Sequence, residues 1–300
     1  MSDYFDPDVI GRVKGLELRS LRLVESLMVG MHKSKMRGIS TEFAQHRQYV
    51  TGDDTKHLDW KVFAKTDRFY VKQYEVETSM PVFFMLDASP SMFFKSEGAA
   101  LTKFEYAATV LATLSYLLMQ QKDTFGLAVF DEKIRTHLPS RSSGMHYRQI
   151  LDLLGKVSPG TGKTDVGTAI LNLAPQLKSR GMVVVLSDFV DNPERLGLGL
   201  GQLSFAEQDV LLLHVEDPAE RDFPFTGQTI FLGTEGEGRL LCDPRDLRNS
   251  YLRARKNHLA AVRSFCMRFG FNLEELGTDA RLDEVLSSLL SLRLARRKVR

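Results

Sequence analysis

Three polar side chains directly follow a short apolar segment in the first third of the chain. Asp87, Ser89 and Ser91 stand at alternate positions after residues 82–86, whose valine and phenylalanine content is typical of a buried parallel strand. Open α/β sheets place their ligand sites at the carboxyl ends of such strands. A carboxylate and two hydroxyls there can turn three oxygen ligands toward one point, and oxygen ligands suit Mg²⁺ or Mn²⁺. The segment therefore predicts a divalent-cation site at this strand end.

Two further segments are predicted to bring polar residues to the same crevice. Thr164 lies at the start of a predicted helix, and Asp188 lies just past a predicted strand. Because the ends of parallel strands converge in a doubly wound sheet, the three segments predict an oxygen-only site of two carboxylates and three hydroxyls. Neutral hydroxyls leave a bound metal under-neutralised, so we expect it to seek an additional carboxylate from another molecule.

The elements that must position these residues alternate between strand and helix from about residue 80 onward. The predicted strands 82–86, 182–186 and 210–215 are apolar apart from His214, which indicates a parallel sheet covered by helices on both faces. A hairpin is predicted for residues 125–130 and 134–138. The other predicted elements are helices over 103–121, 147–157, 165–177, 193–204, 247–268 and from 281, with strands at 229–232, 239–241 and 271–275.

The region before residue 80 differs in character. The apolar spacing predicts a short amphipathic helix over residues 8–29, then loops and short strands over 30–60, and a strand over 69–77. We therefore expect an α/β fold with a doubly wound, mostly parallel sheet and a smaller N-terminal region of loops and strands. The expected domains are an accessory region (1–80), the α/β domain with a C-terminal extension (81–290) and a basic tail (291–300).

Composition narrows the classes of function. The 300 residues carry a net charge of +2, which does not suggest a chain built to coat nucleic acid or membrane. No apolar stretch approaches the roughly 20 residues that span a bilayer, and the acidic N-terminus is unlike a secretory signal. Cys242 and Cys266 have no metal-ligand spacing and fit free buried thiols, although a disulfide stays open at this point. We expect a soluble, cytoplasmic protein.

The candidate site resembles the metal-ion-dependent adhesion site (MIDAS) of von Willebrand factor A-type domains. The family's Asp-x-Ser-x-Ser motif is matched by Asp87, Ser89 and Ser91, its threonine segment by residues 162–170, and its closing aspartate by Asp188. The resemblance covers about residues 80–220 and implies a von Willebrand factor A-like sheet. It also implies that Ser89, Ser91 and Thr164 supply hydroxyls to Mg²⁺ or Mn²⁺, that both aspartates bind largely through water, and that a partner's Glu or Asp fills the sixth position.

A longer stretch, about residues 30–275, resembles the bacterial family called domain of unknown function 58. That resemblance implies partnership with a MoxR-type AAA ATPase, with this chain as a non-enzymatic adaptor or substrate presenter in complex assembly or maturation. The N-terminal residues that carry it predict a polar network with an aromatic anchor, which either fixes this region to the sheet or forms a second docking surface. These candidate partner-binding residues are Glu42, Arg47, Asp53, Asp54, Asp59 and Trp60.

Two alternatives stay open beside the interaction module. Residues Gly160 to Thr164 are similar to the end of a Walker A loop, which would make the chain a nucleotide hydrolase. That mechanism requires a strand before the glycine-rich loop, whereas residues 147–157 predict a helix. The second alternative is a structural scaffold with an empty site. The basic tail, which includes Arg296, Arg297 and Arg300, is typical of a solvated helix end, with an acidic partner or lipid surface as the alternative.

Overall fold

The computed structural model describes residues 7–33, 43–49, 60–66, 68–74, 80–160, 162–234 and 238–297. They belong to two compact units. The smaller unit is Val29–Ser79, and the larger unit comprises Met1–Met28 together with Met80–Arg300.

The first helix, α1 (Pro7–Lys33), belongs mainly to the larger unit and is longer than the short helix that the sequence predicts. Leu16, Val24 and Leu27 are buried at helical spacing, because they form the apolar stripe that packs into the core.

The smaller unit contains a two-stranded antiparallel sheet and a short helix. Its elements are β1 (Phe43–Gln48), α2 (Trp60–Thr66) and β2 (Tyr70–Tyr74). The ring of Phe63 stacks on that of Phe69 with centroids 4.4 Å apart. The predicted short strands are confirmed within the described residues of this region.

The larger unit is built on a six-stranded sheet in which five strands are parallel. The strands are β3 (Val82–Asp87), β4 (Phe125–Phe130), β5 (Ile134–Arg141), β6 (Met182–Ser187), β7 (Asp209–Glu216) and β10 (Asn272–Gly277). Their order is β10-β7-β6-β3-β4-β5, and only β5 runs antiparallel to its neighbour. This arrangement confirms the predicted α/β class and the predicted hairpin.

Helices cover both faces of this sheet, and two apolar clusters fill the space beneath them. Phe84 and Leu86 of β3 lie in the cluster that includes residues of α3, while Phe83 and Met85 lie in the cluster on the opposite face. A strand buried on both faces needs apolar residues at every position, which explains its unbroken apolar sequence. The helices are α3 (Lys103–Gln120), α4 (Gly144–Lys156), α5 (Val166–Leu173), α6 (Pro193–Phe205), α7 (Pro218–Asp222), α8 (Pro244–Phe269) and α9 (Leu282–Arg297).

Several element ends differ from the predictions. Helix α5 ends at Leu173 rather than at residue 177, because Pro175 lacks the N–H that would continue the helix and the chain forms a 3₁₀ turn over Ala174–Gln176. Helix α4 begins three residues earlier than predicted, where the side chain of Ser143 accepts a hydrogen bond from the backbone N–H of His146.

A separate antiparallel ribbon lies between β7 and α8 in the chain. It consists of β8 (Thr229–Leu232) and β9 (Arg239–Cys242), as predicted. Both cysteines are free thiols; Cys266 is buried and Cys242 is half-buried. Among the residues described, no helix has both the length and the apolar character needed to cross a membrane.

Candidate metal centre

Asp87 is the last residue of β3 and is fully buried. Its Oδ1 accepts a 2.8 Å hydrogen bond from the backbone N–H of Ser89, and its Oδ2 accepts a 2.6 Å bond from the hydroxyl of Ser187. Burial, and next the negative charge of Asp188, raise the pKa of Asp87 to about 7. Burial and the nearby negative charge both disfavour the ionised form of Asp87, and a cation bound beside this carboxylate would offset them.

The two serine hydroxyls are held next to each other by the turn that follows β3. Pro90 begins a 3₁₀ turn (Pro90–Phe93), and the N–H of Met92 donates to the carbonyl of Ser89. As a result, the two hydroxyls hydrogen-bond each other, with Ser89 Oγ 3.1 Å from Ser91 Oγ. Adjacent ligands of an octahedral Mg²⁺, each about 2.1 Å from the ion, are separated by about 3 Å. The spacing of the hydroxyls therefore fits one Mg²⁺ between them.

Asp188 follows β6 and joins the same group of side chains. Its Oδ2 accepts a 2.8 Å hydrogen bond from Lys103 Nζ, its Oδ1 accepts from the N–H of Val190, and it also hydrogen-bonds the Ser91 side chain. Burial is the largest influence and alone would raise the pKa of Asp188, but the charge of Lys103 and the hydrogen bonds that the carboxylate accepts together outweigh it, so the pKa is lowered. Asp188 is thus the carboxylate that stays ionised, while Asp87 is the one that gains a proton near neutral pH.

The loop that carries Thr164 lies against the end of β3. The N–H of Gly160 donates a 2.8 Å hydrogen bond to the carbonyl of Ala88, which joins this loop directly to the Asp87 segment. Thr164 is buried, and the next residue, Asp165, caps α5 by accepting a 2.7 Å bond from the N–H of Thr168. A salt bridge of 2.6 Å from Arg195 of α6 to Asp165 holds the start of α5 in place.

Lys103 is the residue of this site that sequence reasoning missed. It is the first residue of α3, is 0% exposed, and places Nζ 2.8 Å from Asp188 Oδ2 and 2.6 Å from Glu220 Oε1. A lysine in the first turn of a helix is opposed by the helix dipole, but this position does not identify the partners of the side chain. The roles of Ser187 and Glu220 were missed as well, and no sequence motif marks them.

The donors fit a hard divalent cation. In the described part of the chain, no three His, Cys, Asp or Glu side chains are arranged to hold a metal. An ion here would be held by two carboxylates together with hydroxyls, and such an all-oxygen donor set suits Mg²⁺ or Mn²⁺ better than zinc. The structure places Asp87, Ser89, Ser91 and Asp188 together and buries Thr164 in the adjoining loop.

Most of the predicted partner-binding residues lie outside the described residues. These are Glu42, Asp53, Asp54 and Asp59. Arg47 lies in β1 opposite Val71 of β2. Trp60 begins α2 and is 62% exposed, with its ring edge-to-face against Phe63. The second docking surface stays a prediction.

The segment before Gly160 does not have the structure that a Walker A loop requires. Helix α4 (Gly144–Lys156) precedes it, as the sequence predicts, whereas a phosphate-binding loop follows a strand. Lys163, which would have to reach a phosphate, is exposed. The nucleotide-hydrolase alternative therefore lacks the strand that must precede its phosphate-binding loop.

The model of one protein family, described as "Protein of unknown function DUF58", matches residues 45–261. This chain belongs to the DUF58 family. The match confirms the family that the sequence motifs indicate, and it spans the whole candidate centre.

Other proteins resemble the chain over most of its length. The Mycobacterium tuberculosis protein named "Uncharacterized protein Rv1480" is 26% identical over 280 residues, which cover 92% of this chain and 87% of that protein. Among solved structures, an aerotolerance-related membrane protein from Bacteroides fragilis superposes with a TM-score of 0.51 at 18% identity, covering 71% of this DUF58 protein and 97% of the other chain. The SpRpn10 VWA domain is also similar, with a TM-score of 0.42, 12% identity and coverages of 70% and 94%. The Bacteroides fragilis structure supports the α/β fold.

Proposed function

We propose that this DUF58 protein is a non-enzymatic interaction module that binds a partner through a divalent cation, Mg²⁺ or Mn²⁺. Asp87, Ser89, Ser91, Thr164 and Asp188 hold the ion, and a glutamate or aspartate of the partner completes its coordination. The observation that carries the proposal is the pair of hydroxyls, Ser89 Oγ and Ser91 Oγ, 3.1 Å apart beside two buried carboxylates.

The charge of the site supports this use. Asp87 and Asp188 are both buried, and the repulsion between them contributes to the raised pKa of Asp87. A divalent cation neutralises both carboxylates, and neutral hydroxyls complete only part of its coordination. Since Mg²⁺ requires six ligands in near-octahedral geometry, a partner's carboxylate is a suitable further ligand.

The partner that we propose is a MoxR-type AAA ATPase, with this chain as its adaptor or substrate presenter in complex assembly or maturation. The support is the family resemblance carried by the N-terminal motifs and by the adhesion-type site. Membership of the DUF58 family is consistent with that role.

Metal binding is tested by titrating Mg²⁺ into the purified chain while following its thermal unfolding and, in parallel, the heat of binding. We expect Mg²⁺ to raise the Tm of the wild type and of Asp152→Asn, a matched variant of an exposed aspartate in α4. Asp87→Asn keeps the size of the side chain but removes its charge, and we expect it to lose the response. Equal responses of all three proteins would contradict the site.

The same assay separates the alternatives. ATP binding that disappears in Lys163→Ala would favour the nucleotide hydrolase, and no response to either ligand would favour the structural scaffold. Docking is then tested with a purified MoxR-type ATPase in the presence of Mg²⁺ or a chelator. We expect a complex only with Mg²⁺ and only when Asp87 is intact; a complex that survives the chelator would show that docking does not use the metal.

A further inference from the structure

Beside the proposed ion, the site contains a positive charge of its own. The Lys103 ammonium is completely buried between the carboxylates of Asp188 and Glu220, at 2.8 and 2.6 Å. An ammonium held at these distances by two carboxylates is stabilised in its charged form, so Lys103 acts as a fixed positive charge beside the proposed ion. Taking an ammonium out of water is costly, and removing either partner of a buried ion pair leaves the other charge uncompensated.

The two oxygens of the Asp188 carboxylate have different hydrogen-bond donors. One oxygen, Oδ2, accepts from Lys103, while Oδ1 accepts a longer bond of 3.3 Å from the N–H of Val190. An ion bound by Asp188 must therefore share this carboxylate with the ammonium. Because like charges repel strongly at short distance in a buried site, the ammonium lowers the affinity for the ion.

Glu220 is held in position by its own helix and by α8. It completes the capping box of α7, in which its Oε2 accepts from the N–H of Asp217. The hydroxyl of Tyr251, in α8, donates a 3.0 Å bond to the carbonyl of Glu220. Lys103 is therefore clamped between two fixed carboxylates and cannot leave Asp188 without leaving a buried charge unpaired.

We propose that Lys103 is a resident cation of this site, which keeps Asp188 neutralised without metal and weakens the binding of a divalent ion so that the ion exchanges readily. Lys103 is a positioning residue, since it acts on the ion through Asp188. This role rests on the proposed metal site, and it identifies Lys103 as the residue that sets the affinity of that site for the divalent ion.

The net charge of the site predicts opposite changes in Mg²⁺ affinity for two substitutions. With all three carboxylates ionised, as binding of a divalent ion requires of its ligands, Asp87, Asp188 and Glu220 together with Lys103 carry a formal charge of −2. Lys103→Met makes this −3, so we expect Mg²⁺ to bind at least about ten-fold more tightly. Glu220→Gln makes it −1 and keeps an oxygen for the N–H of Asp217, so we expect binding about ten-fold weaker. The double variant returns to −2 and should return near the wild-type affinity.

The experiment measures the Kd of Mg²⁺ by calorimetry and the Tm with and without Mg²⁺ for all four proteins. Lys103→Met should have the lowest Tm without metal and the largest gain in Tm on adding Mg²⁺. Lys103→Met removes the ion pairs to Asp188 and Glu220, and Glu220→Gln removes the second of these, so damage to the structure alone would shift both affinities in the same direction. The double variant lacks the Glu220 charge that Lys103→Met leaves without its partner, so its comparison with Glu220→Gln keeps the test valid if Lys103→Met folds poorly.

The outcomes separate this inference from the proposed function. If the wild type binds Mg²⁺ and Lys103→Met binds it equally or more weakly, the resident-cation role is wrong and the metal site stands. If the wild type does not bind Mg²⁺ but Lys103→Met does, the resident cation is supported and metal-dependent docking fails. If none of the four proteins binds Mg²⁺, both proposals are wrong.

Discussion

The hydroxyl of Ser187 donates a 2.6 Å hydrogen bond to Asp87 Oδ2 and accepts a 2.9 Å bond from the N–H of Phe189. The two residues end neighbouring parallel strands, so one buried hydroxyl joins the end of β6 to the end of β3. The position of the Asp87 carboxylate therefore depends on a residue outside the adhesion-type motif.

Ser187→Ala is expected to lower the free energy of unfolding by about 1–3 kcal/mol, because it leaves the buried Asp87 oxygen and the Phe189 N–H without a partner. Urea denaturation measures the change. Ser115→Ala is the matched control, since Ser115 is equally buried but its hydroxyl has no hydrogen-bond partner among the described residues. That variant should be neutral or more stable, and an equal loss in both would contradict the role of the Ser187 bond.

Ser91→Ala is expected to weaken Mg²⁺ binding about ten-fold, since it removes one of the two adjacent hydroxyls from the proposed coordination sphere. Isothermal calorimetry measures the Kd. Ser96 provides a control from the same loop, because its hydroxyl is buried without a partner within the described structure while its N–H donates to Asp217. Ser96→Ala should leave the Kd unchanged; a similar weakening in both variants would argue against a direct ligand role for Ser91.

Gly167→Ala is expected to separate α5 from α6 and to destabilise the fold by about 1–3 kcal/mol. A Cβ at this position would lie 2.4 Å from the backbone carbonyl of Arg195, where no side chain can move aside. Gly11→Ala in α1 meets nothing within 4 Å and should stabilise the protein by about 0.5–1 kcal/mol. Thermal unfolding of both variants tests the two expectations, a lower Tm for Gly167→Ala and a higher Tm for Gly11→Ala. An unchanged Tm for Gly167→Ala would show that α5 and α6 can move apart without loss of stability.

His214 is expected to make the protein sensitive to acid. Burial lowers its pKa to about 4, with Arg255 and Lys103 adding to this and Asp188 and Glu275 opposing it. A histidine that is neutral in the folded state contributes stability above the unfolded pKa of about 6.5, and this is lost as the pH falls toward 4.

The test compares the wild type with His214→Phe by urea denaturation between pH 7 and pH 4. The difference in unfolding free energy should change in favour of the variant as the pH falls, by at most about 1.4 kcal/mol per pH unit. Parallel pH profiles for the two proteins would show that His214 does not carry this sensitivity.

The central strands and the Asp87 loop could be predicted because their signals are local. β3 and β6 are unbroken apolar segments, and the polar residues follow them directly. Lys103 could not be predicted, since its partners lie 85 and 117 residues away in the chain. Its contacts depend on which strands are neighbours, and the apolar strand sequences do not determine that order.

The helix predicted for residues 8–29 is present but extends further, to Lys33. The sequence did not mark its end, because glycines at 11, 15 and 30 all lie within the helix. The bond between Gly160 and Ala88 also escaped prediction. It joins two backbone groups, so it requires no particular side chain and cannot be recognised in the sequence.

The hydrogen bond between Ser187 and Asp87 also determines how β3 and β6 are aligned. Both strands are buried at every position, so apolar burial alone does not distinguish the observed pairing of Leu86 with Leu186 from one shifted by two residues, which keeps each side chain on its face. Such a shift would place Asp87 beside Val185 or Phe189 and take the Ser187 donor away from its buried Oδ2. Asp87, which we propose to hold the ion, therefore also favours the observed register of the two strands, and making this crevice apolar would remove that preference.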